Sequence, residues 1–234
     1  HRPSIDKITN SLPSSRTLKL PRLLYPANHF LDILDDNIRN EFFELLSLLR
    51  RKGFEVLRAN FSLNRDHYKC WKTVRLYEAA QVHSQKLKFN SGQLSEEVRN
   101  MLSKGSRIDH ATYVNAKRMI KKIKNKFLDI FGKDNRILLL LPTTVIYAPK
   151  LRNIYVTINK KNLRVRNLLL RNTIVFNSIG FPALTIPLTK CYCLHQSTLP
   201  IGLQLVGAPH NDNLVFEGGM IIERLVAKSP KPDN

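Results

Sequence analysis

The sequence predicts an α/β protein in which a mixed, largely buried β-sheet is covered by helices. Short apolar segments bounded by charged or turn residues indicate strands that are buried on both faces. Amphipathic helical patterns precede and follow them, and no apolar run is long enough to cross a membrane, which is typical of a soluble protein. The apolar segments are RILLLLP at residues 136–142, ALTIPL at 183–188 and IGLQLVG at 201–207.

The region before residue 60 predicts a helix followed by a strand. Asp35 or Asp36 is expected to cap a helix that ends near Arg51, and Gly53 supplies the left-handed residue that follows it. The segment FEVLRANF then alternates apolar and polar residues, as a strand does. The apolar stripe of the helix comprises Ile38, Phe42, Leu45, Leu46 and Leu49.

The middle of the chain is polar and favours helices, with LYEAAQVHSQKL as its clearest helical stretch. Asp109 is expected to cap the longest helix, which ends at Phe131 before Gly132. The buried stripe of this helix is predicted to contain Tyr113, Ala116, Met119 or Ile120, Ile123, Phe127 and Ile130. Its other side is basic and carries Lys117, Arg118, Lys121, Lys122, Lys124 and Lys126.

The two ends of the chain differ in character. Residues 1–20 contain Pro3, Pro13 and the cluster SLPSSR without periodicity, so we predict a linker or a cut end there and a domain over residues 21–234. Near the other end, Asp212 is expected to cap a last helix. The apolar side of that helix carries Leu214, Val215, Ile221, Ile222 and Leu225.

The charge distribution excludes some kinds of chemistry. The formal net charge is +20, which would attract nucleic acid, an anionic membrane or an acidic protein. Residues 137–211 contain no Asp or Glu, so paired-carboxylate catalysis and hard-metal binding are excluded from this segment. The basic side of the longest helix is interpreted either as a solvated surface or as a contact for RNA or an acidic partner.

The cysteines and histidines predict no metal site. Cys70, Cys191 and Cys193 are too few and too unevenly spaced for a disulfide framework, and a single Cys-x-Cys lacks the second half of a zinc site. The histidines share no metal-like spacing. We therefore expect no metal and a reduced, cytoplasmic setting.

Three motifs in the C-terminal half occur in the order and register of a known family. They are LLPTTVIYAP from Leu140, TIVFNSIGFPALTIPL from Thr173 and LPIGLQLVGAPHNDNLV from Leu199. Together they resemble the amidase signature family, which hydrolyses amides and includes one component of the tRNA-dependent amidotransferases. The resemblance implies the C-terminal half of that fold. It departs from the family in two places: the nearest acidic residue before the Pro-Thr is Asp134, and residues 153–170 are unusually basic and apolar.

The resemblance also implies a catalytic apparatus that this chain lacks. The family works through a serine, a second serine in a cis peptide and a lysine, held in a Gly/Ser-rich segment, with no metal or organic cofactor. In this chain the nine glycines are scattered, and the one Gly-Gly pair, Gly218 and Gly219, has no adjoining serine. We therefore expect no catalytic residue in this chain, which would be inactive alone and would depend on a missing N-terminal half or a separate chain that carries the nucleophile.

The resemblance implies a substrate-pocket role for a small set of polar residues. Each also has a purely structural interpretation, because threonines after Pro and a short amide readily satisfy neighbouring backbone groups. The candidate pocket residues are Thr143, Thr144, Thr173 and Asn177. The residues expected to shape the backbone, fill the strands or cap the last helix are Pro142, Gly180, Pro182, Pro187, Gly202, Gln204, Gly207 and Asp212.

Three hypotheses remain open at this stage. The first is the C-terminal portion of an amidase, which would act on a small amide substrate in the complete enzyme. The second is a non-catalytic basic binding or regulatory protein derived from the same fold, with RNA as one partner. The third is a truncated product without function, which would aggregate because its strand edges and apolar surface are exposed.

Overall fold

The computed structural model describes residues 20–26, 29–60, 63, 66–132, 134–188 and 199–228. The predicted linker, apart from Leu20, and Cys191 and Cys193 lie outside these residues. The chain forms two compact units: one combines the residues up to Ser62 with those from Ile130 onward, and the other spans Leu63–Asp129. The single domain expected over residues 21–234 stays a prediction.

The described strands and helices follow one another in a mixed order. The strands are β1 (Arg22–Pro26), β2 (Val56–Ala59), β3 (Ile137–Pro142), β4 (Tyr155–Ile158), β5 (Lys161–Arg164), β6 (Ala183–Pro187) and β7 (Gly202–Val206). The α-helices are α1 (Asp36–Arg51), α2 (His67–Val82), α3 (Ser84–Phe89), α4 (Glu96–Ser106), α5 (His110–Phe131), α6 (Val165–Leu170), α7 (Ile174–Ile179) and α8 (Asp212–Lys228).

The first unit is built on a mixed sheet in the order β2-β1-β3-β7-β6. β1 runs parallel to both β2 and β3, whereas β7 runs antiparallel to β3 and β6. Every residue of β3, from Ile137 to Pro142, is buried, because this strand has neighbours on both sides and apolar cover on both faces. The predicted fold class, a mixed α/β sheet covered by helices, is confirmed.

The segment ALTIPL is a strand, but the expectation that it is buried on both faces is wrong. β6 pairs only with β7 among the described strands, and its residues Ala183, Thr185 and Pro187 are exposed. The alternate residues Leu184 and Ile186 point toward α8, where Gly219 leaves room for them. An edge strand needs apolar residues on one face only. The periodicity of a short apolar run does not distinguish an edge strand from a strand that is buried on both faces.

The first helix matches its prediction closely. Asp35 is its N-cap, and its carboxylate accepts hydrogen bonds from the amides of Asn37 at 3.0 Å and Ile38 at 3.5 Å. The helix ends at Arg51, and Gly53 follows in a left-handed conformation with a φ of 88°. The predicted apolar stripe is buried in full, namely Ile38, Phe42, Leu45, Leu46 and Leu49.

The second unit is helical, and its longest helix ends at Phe131 as predicted. Of its predicted buried stripe, Ala116, Ile123 and Phe127 are buried, whereas Tyr113, Met119, Ile120 and Ile130 are only half-buried. The Asp109 carboxylate accepts a hydrogen bond from the amide of Thr112 at 2.7 Å, and this contact with the Thr112 hydroxyl and amide lowers the pKa of Asp109. The stretch LYEAAQVHSQKL is not one helix, however, because α2 stops before His83 and α3 begins after it. No residue of α3 is buried, so packing does not require a continuous helix there.

Residues 155–170 form a β-hairpin followed by a short helix. β4 and β5 pair antiparallel through a two-residue turn in which Asn159 and Lys160 both have positive φ, 49° and 61°. This hairpin and α6 account for the segment that departs from the family pattern. The last helix begins with Asp212 as its first residue, so Asp212 lies inside the helix rather than at the expected cap position before it. Asp212 instead places a negative charge in the first turn.

The contact between α2 and α4 depends on a glycine. A Cβ at Gly105 would overlap the carbonyl oxygen of Leu76 and lie 2.9 Å from the Ala80 Cβ. We expect Gly105→Ala to reduce the stability of the helical unit by about 2 kcal/mol in chemical unfolding, because backbone rather than a flexible side chain must move. Gly92→Ala is the matched control, since nothing lies within 4 Å of its Cβ position. Equal stability of the two variants would contradict the packing described here.

Candidate functional site: a hydroxyl and amide cluster

The candidate site lies where β3 ends beside β7 and β6, within the first unit. We call it the amide cluster and define it as Thr143, Asn172, Thr185, Gly202 and Gln204. The antiparallel register places Gln204 opposite Leu141 of β3 and Thr185 of β6. The loop between α6 and α7 brings Asn172 onto the same strands. Residues from four separate parts of the sequence therefore meet at one place.

Asn172 is the most buried polar residue of the cluster, with 0% of its surface exposed. Its side-chain amide donates to the carbonyl of Pro142 at 2.7 Å and to that of Phe30 at 3.4 Å. Its Oδ1 has no hydrogen-bond partner among the described residues, although an unpaired buried acceptor is costly. Asn172 thus links the end of β3 to the loop after β1 through its amide and leaves an acceptor unused.

Gln204 supports the same arrangement from β7. The side chain is only 3% exposed and donates through Nε2 to the backbone carbonyl of Asn172 at 3.3 Å. Position 204 therefore holds a buried, hydrogen-bonded side chain within a strand. The bond fixes the loop before α7 against the sheet.

Two threonines meet at the partly open end of the cluster. The hydroxyls of Thr143 and Thr185 lie 3.2 Å apart, and the backbone amide of Thr143 donates to the carbonyl of Gly202 at 2.8 Å. A Cβ at Gly202 would lie 2.8 Å from the Thr143 hydroxyl and 2.9 Å from the Thr185 methyl group. Gly202 therefore permits the close approach of the two threonines.

The other candidate pocket residues make local contacts. The Thr144 hydroxyl donates to the carbonyl of Ile146 at 2.9 Å, and the Thr173 hydroxyl donates to that of Leu170 at 3.3 Å. Asn177 is exposed on α7, and its backbone amide donates to the Thr173 carbonyl. Of the four candidates, the structure places Thr143 in the amide cluster. The pocket roles of all four stay predictions.

The glycines and prolines of the motifs set the backbone around the cluster. Gly180 ends α7 with a φ of 71°, a conformation that favours glycine. The amide of Gly207 donates to the carbonyl of Pro182 at 3.0 Å, and a Cβ at Gly207 would lie 2.6 Å from Val215. Pro187 lies opposite Gly202 at the end of β6. Each of these contacts serves the backbone geometry of the first unit.

An arginine beside Asn172 holds the loop after β1. The Arg171 guanidinium donates to the carbonyl of His29 at 2.7 and 3.0 Å and to the carboxylate of Asp32 at 2.6 Å. In the same loop, the Phe30 ring stacks on Phe176 of α7 with 5.6 Å between centroids. The loop after β1 is therefore fixed by charge and aromatic packing as well as by Asn172.

A buried carboxyl group lies on α1, close to the segment that follows Thr144. Glu41 is 4% exposed, and burial together with the nearby charge of Glu44 raises its pKa to about 7. The nearby Tyr147 side chain opposes this rise in pKa, while Glu41 Oε2 has no hydrogen-bond partner among the described residues. Glu41 therefore exchanges a proton close to neutral pH.

The amide cluster offers hydroxyl and carboxamide groups for hydrogen bonding but contains no group that can activate a nucleophile. A threonine hydroxyl needs a neighbouring base to attack an amide, and the cluster consists of hydroxyls, carboxamides and a glycine. The paired hydroxyls of Thr143 and Thr185 can both donate and accept hydrogen bonds. Across the described ranges, no group of three or more His, Cys, Asp and Glu side chains is placed to hold a metal.

Comparison with known proteins identifies the family. The amidase family model matches residues 4–216. The chain belongs to the amidase family. The matched residues include all five of the amide cluster, and the family resemblance inferred from the three C-terminal motifs is confirmed.

The solved structures that match are amidase signature enzymes of about twice the length. An amidase crystal structure is similar over 90% of this chain and 47% of its own, with 25% identity and a TM-score of 0.77. The peptide amidase from Stenotrophomonas maltophilia is similar over 100% of this chain and 50% of its own, with 15% identity and a TM-score of 0.63. The 6-aminohexanoate cyclic dimer hydrolase, solved with its substrate, is similar over 92% of this chain and 48% of its own, with 18% identity and a TM-score of 0.70. No curated protein sequence matches significantly.

Sequence reasoning missed Asn172, Thr185 and Arg171. Asn172 stands directly before the predicted Thr173, and Thr185 lies inside ALTIPL, so both were within or beside motifs that had been singled out. The available signal for Asn172 was a polar residue between two apolar helical runs. That signal does not show which side of the turn faces the sheet, so the structure was required to find it.

We expect Asn172→Ala to reduce the free energy of unfolding by about 2 kcal/mol, because the carbonyl of Pro142 loses its donor within the core. Asn177→Ala, five residues further along, removes a carboxamide from an exposed position and should change the free energy of unfolding by roughly 0.5 kcal/mol or less. Chemical denaturation of both variants measures the difference. A loss at Asn177 equal to that at Asn172 would contradict the bridging role.

The raised pKa of Glu41 predicts a pH-dependent stability. The folded state binds a proton more tightly than the unfolded state, whose carboxyl has the ordinary pKa of 4.5. The stabilisation is therefore complete below pH 4.5 and is lost as the pH rises through about 7. Between pH 4.5 and about 7, the free energy of unfolding should fall by an amount on the order of 2 kcal/mol, as measured by chemical denaturation. Glu41→Gln should abolish this pH dependence. Glu223→Gln, at an exposed position of α8, should leave it unchanged.

Proposed function

We propose that this chain is the C-terminal portion of an amidase-family hydrolase that cleaves amide C–N bonds, and that the serine nucleophile comes from a part outside it. One observation carries the proposal. The chain is matched over 90% of its length by an amidase structure but covers only 47% of that structure, and its site holds binding groups without a base. The chain alone is then inactive.

The amide cluster would form one wall of the substrate pocket. The hydroxyls of Thr143 and Thr185 are suited to hydrogen-bond the carbonyl or amine side of an amide, because each hydroxyl can donate or accept. Thr144, Thr173 and Asn177 are proposed to complete this wall. Asn172 and Gln204 would position the threonines by holding the end of β3 against β7.

The reaction assigned to the complete enzyme has two steps. A serine oxygen attacks the amide carbonyl while its proton passes to a base. The C–N bond then breaks as the base gives that proton to the leaving nitrogen, which departs as ammonia or an amine. The resulting acyl-enzyme ester is then hydrolysed by water, which yields the acid and restores the serine. No metal or organic cofactor is required by this sequence of steps, and a cytoplasmic setting stays a prediction.

A second candidate function is non-catalytic binding of RNA. The basic side of α5 supports it, because Lys117, Arg118, Lys121, Lys122 and Lys126 are exposed and residues 117–126 include no acidic residue. Lys117 pairs with Glu78 of α2 at 3.7 Å, so part of this charge is already offset within the helical unit. Steeply salt-dependent RNA binding by an inactive complex would favour this function.

The proposed function predicts complementation. The chain alone should not hydrolyse a panel of simple amides, whereas mixing with the polypeptide that carries the Gly/Ser-rich serine segment should produce activity. In that complex, Thr143→Val and Thr185→Val should each lower kcat/KM roughly threefold to tenfold through loss of a hydrogen bond to the substrate.

Thr157→Val is the control for this experiment, because Thr157 is exposed on β4 and should leave kcat/KM unchanged. Release of amine or ammonia measures the reaction. Activity of the chain by itself would overturn the assignment of the nucleophile to another part, and an inactive but correctly assembled pair would overturn the enzyme assignment.

A further inference from the structure

The base of the β4–β5 hairpin exposes a concentration of apolar side chains. Leu151, Ile154 and Tyr155 have 94%, 65% and 47% of their surface exposed. The hairpin also carries a buried apolar residue, Ile158, which is 9% exposed. The exposed set is therefore additional to the residues that attach the hairpin to the first unit.

Backbone contacts hold this surface in a defined shape. The amide of Asn153 donates to the carbonyl of Lys150 at 3.1 Å, which closes a turn around Leu151. The amide of Val165 donates to the carbonyl of Ile154 at 3.0 Å and ties the base of the hairpin to the start of α6. The three apolar side chains are thus presented by ordered backbone rather than by a loose chain end.

Basic residues accompany the apolar set along the same hairpin: Arg164 lies opposite Tyr155 at the base, whereas Lys160 and Lys161 lie at the turn. Arg164 lies over the Tyr155 ring, 5.6 Å from its centroid, and donates to the Tyr155 hydroxyl at 3.1 Å. No ion pair found in the described part of the chain involves any of the five exposed basic residues of this surface. They are Lys150, Arg152, Lys160, Lys161 and Arg164, and with the three apolar residues they make up what we call the hairpin patch.

Nothing acidic near this surface in the sequence offsets its charge, since residues 137–211 contain no Asp or Glu. A partner that complements the hairpin patch must therefore be anionic and must also accept two bare aliphatic side chains and an aromatic ring. A phosphodiester backbone satisfies the first condition and gains little from Leu151 or Ile154. The interface of an anionic bilayer satisfies both, because aliphatic groups and Tyr enter it while Lys and Arg pair with headgroups.

We propose that the hairpin patch docks this protein on the surface of an anionic membrane. The contact is peripheral: Leu151 and Ile154 enter the boundary between headgroups and acyl chains, Tyr155 lies at headgroup level, and the basic residues contact anionic lipid. No helix among the described residues has the length and hydropathy needed to cross a bilayer. The basic side of α5 differs, since its exposed positions offer charge without comparable apolar groups. The proposal is independent of the amidase assignment.

Vesicle co-sedimentation of the folded chain tests the proposal. Vesicles of phosphatidylcholine with about one-third phosphatidylserine should sediment the protein, and vesicles of phosphatidylcholine alone should do so at least tenfold less strongly, because the charge contribution is then absent. Raising the salt concentration should weaken binding to the mixed vesicles. Binding of equal strength to both vesicle types would overturn the electrostatic half of the proposal.

Matched variants separate this surface from general stickiness and from total charge. Leu151→Ser combined with Ile154→Ser should lower the partition coefficient tenfold or more, whereas Leu128→Ser, at an exposed leucine of α5, should leave it within about twofold. Lys160→Gln with Lys161→Gln should weaken binding more than Lys121→Gln with Lys122→Gln on α5. Circular dichroism confirms that each variant is folded.

Three results would overturn the proposal. The first is that the leucine and isoleucine variant binds vesicles as well as the unaltered chain does. The second is that a structured RNA competes the protein off the vesicles and binds the variant equally well, which assigns the charge to nucleic acid. The third is that the isolated chain binds vesicles but its complex with the nucleophile-carrying polypeptide does not. That result would show that the hairpin patch contacts this polypeptide rather than a membrane. Amide hydrolysis by that complex, measured without vesicles, distinguishes failure of this proposal from failure of the enzyme assignment.

Discussion

The arrangement of the first unit depends on the buried carboxamide of Asn172. Its amide group holds the carbonyl of Pro142 at the end of β3 and that of Phe30 in the loop after β1, while its own backbone carbonyl accepts a bond from Gln204 of β7. Because a buried carbonyl without a donor is costly, removal of this group affects several elements together. The end of β3, the loop after β1 and β7 are thereby joined through one residue.

This constraint also determines what the site can do. The strand ends that Asn172 holds in place present the Thr143 and Thr185 hydroxyls over Gly202, which is small enough to allow their approach. This cluster offers neutral hydrogen-bonding groups, and it has no base that could activate a nucleophile. A cluster without a base agrees with the proposal that the nucleophile lies outside this chain, which spans about half the length of the amidase structures it resembles.

The sequence predicted those elements whose structure is decided locally. The cap and stripe of α1, the Asp109 cap of α5, the left-handed Gly53 and the fully buried β3 all follow from short-range patterns. The expectations that failed required information from outside the element. β6 is half exposed because of its place at the edge of the described sheet, and the predicted helix LYEAAQVHSQKL divides at His83 where packing does not hold it together.

By itself the sequence determined the fold class, the family and the absence of carboxylates from residues 137–211, because periodicity, motif order and composition are properties of the chain alone. Only the tertiary structure decided which polar residues meet. Thr143 and Thr185 are separated by 42 positions and Asn172 and Phe30 by 142, and these pairs are joined by strand register and loop packing. The same is true of the hairpin patch, since whether Leu151 and Ile154 are buried or exposed depends on what the rest of the chain covers.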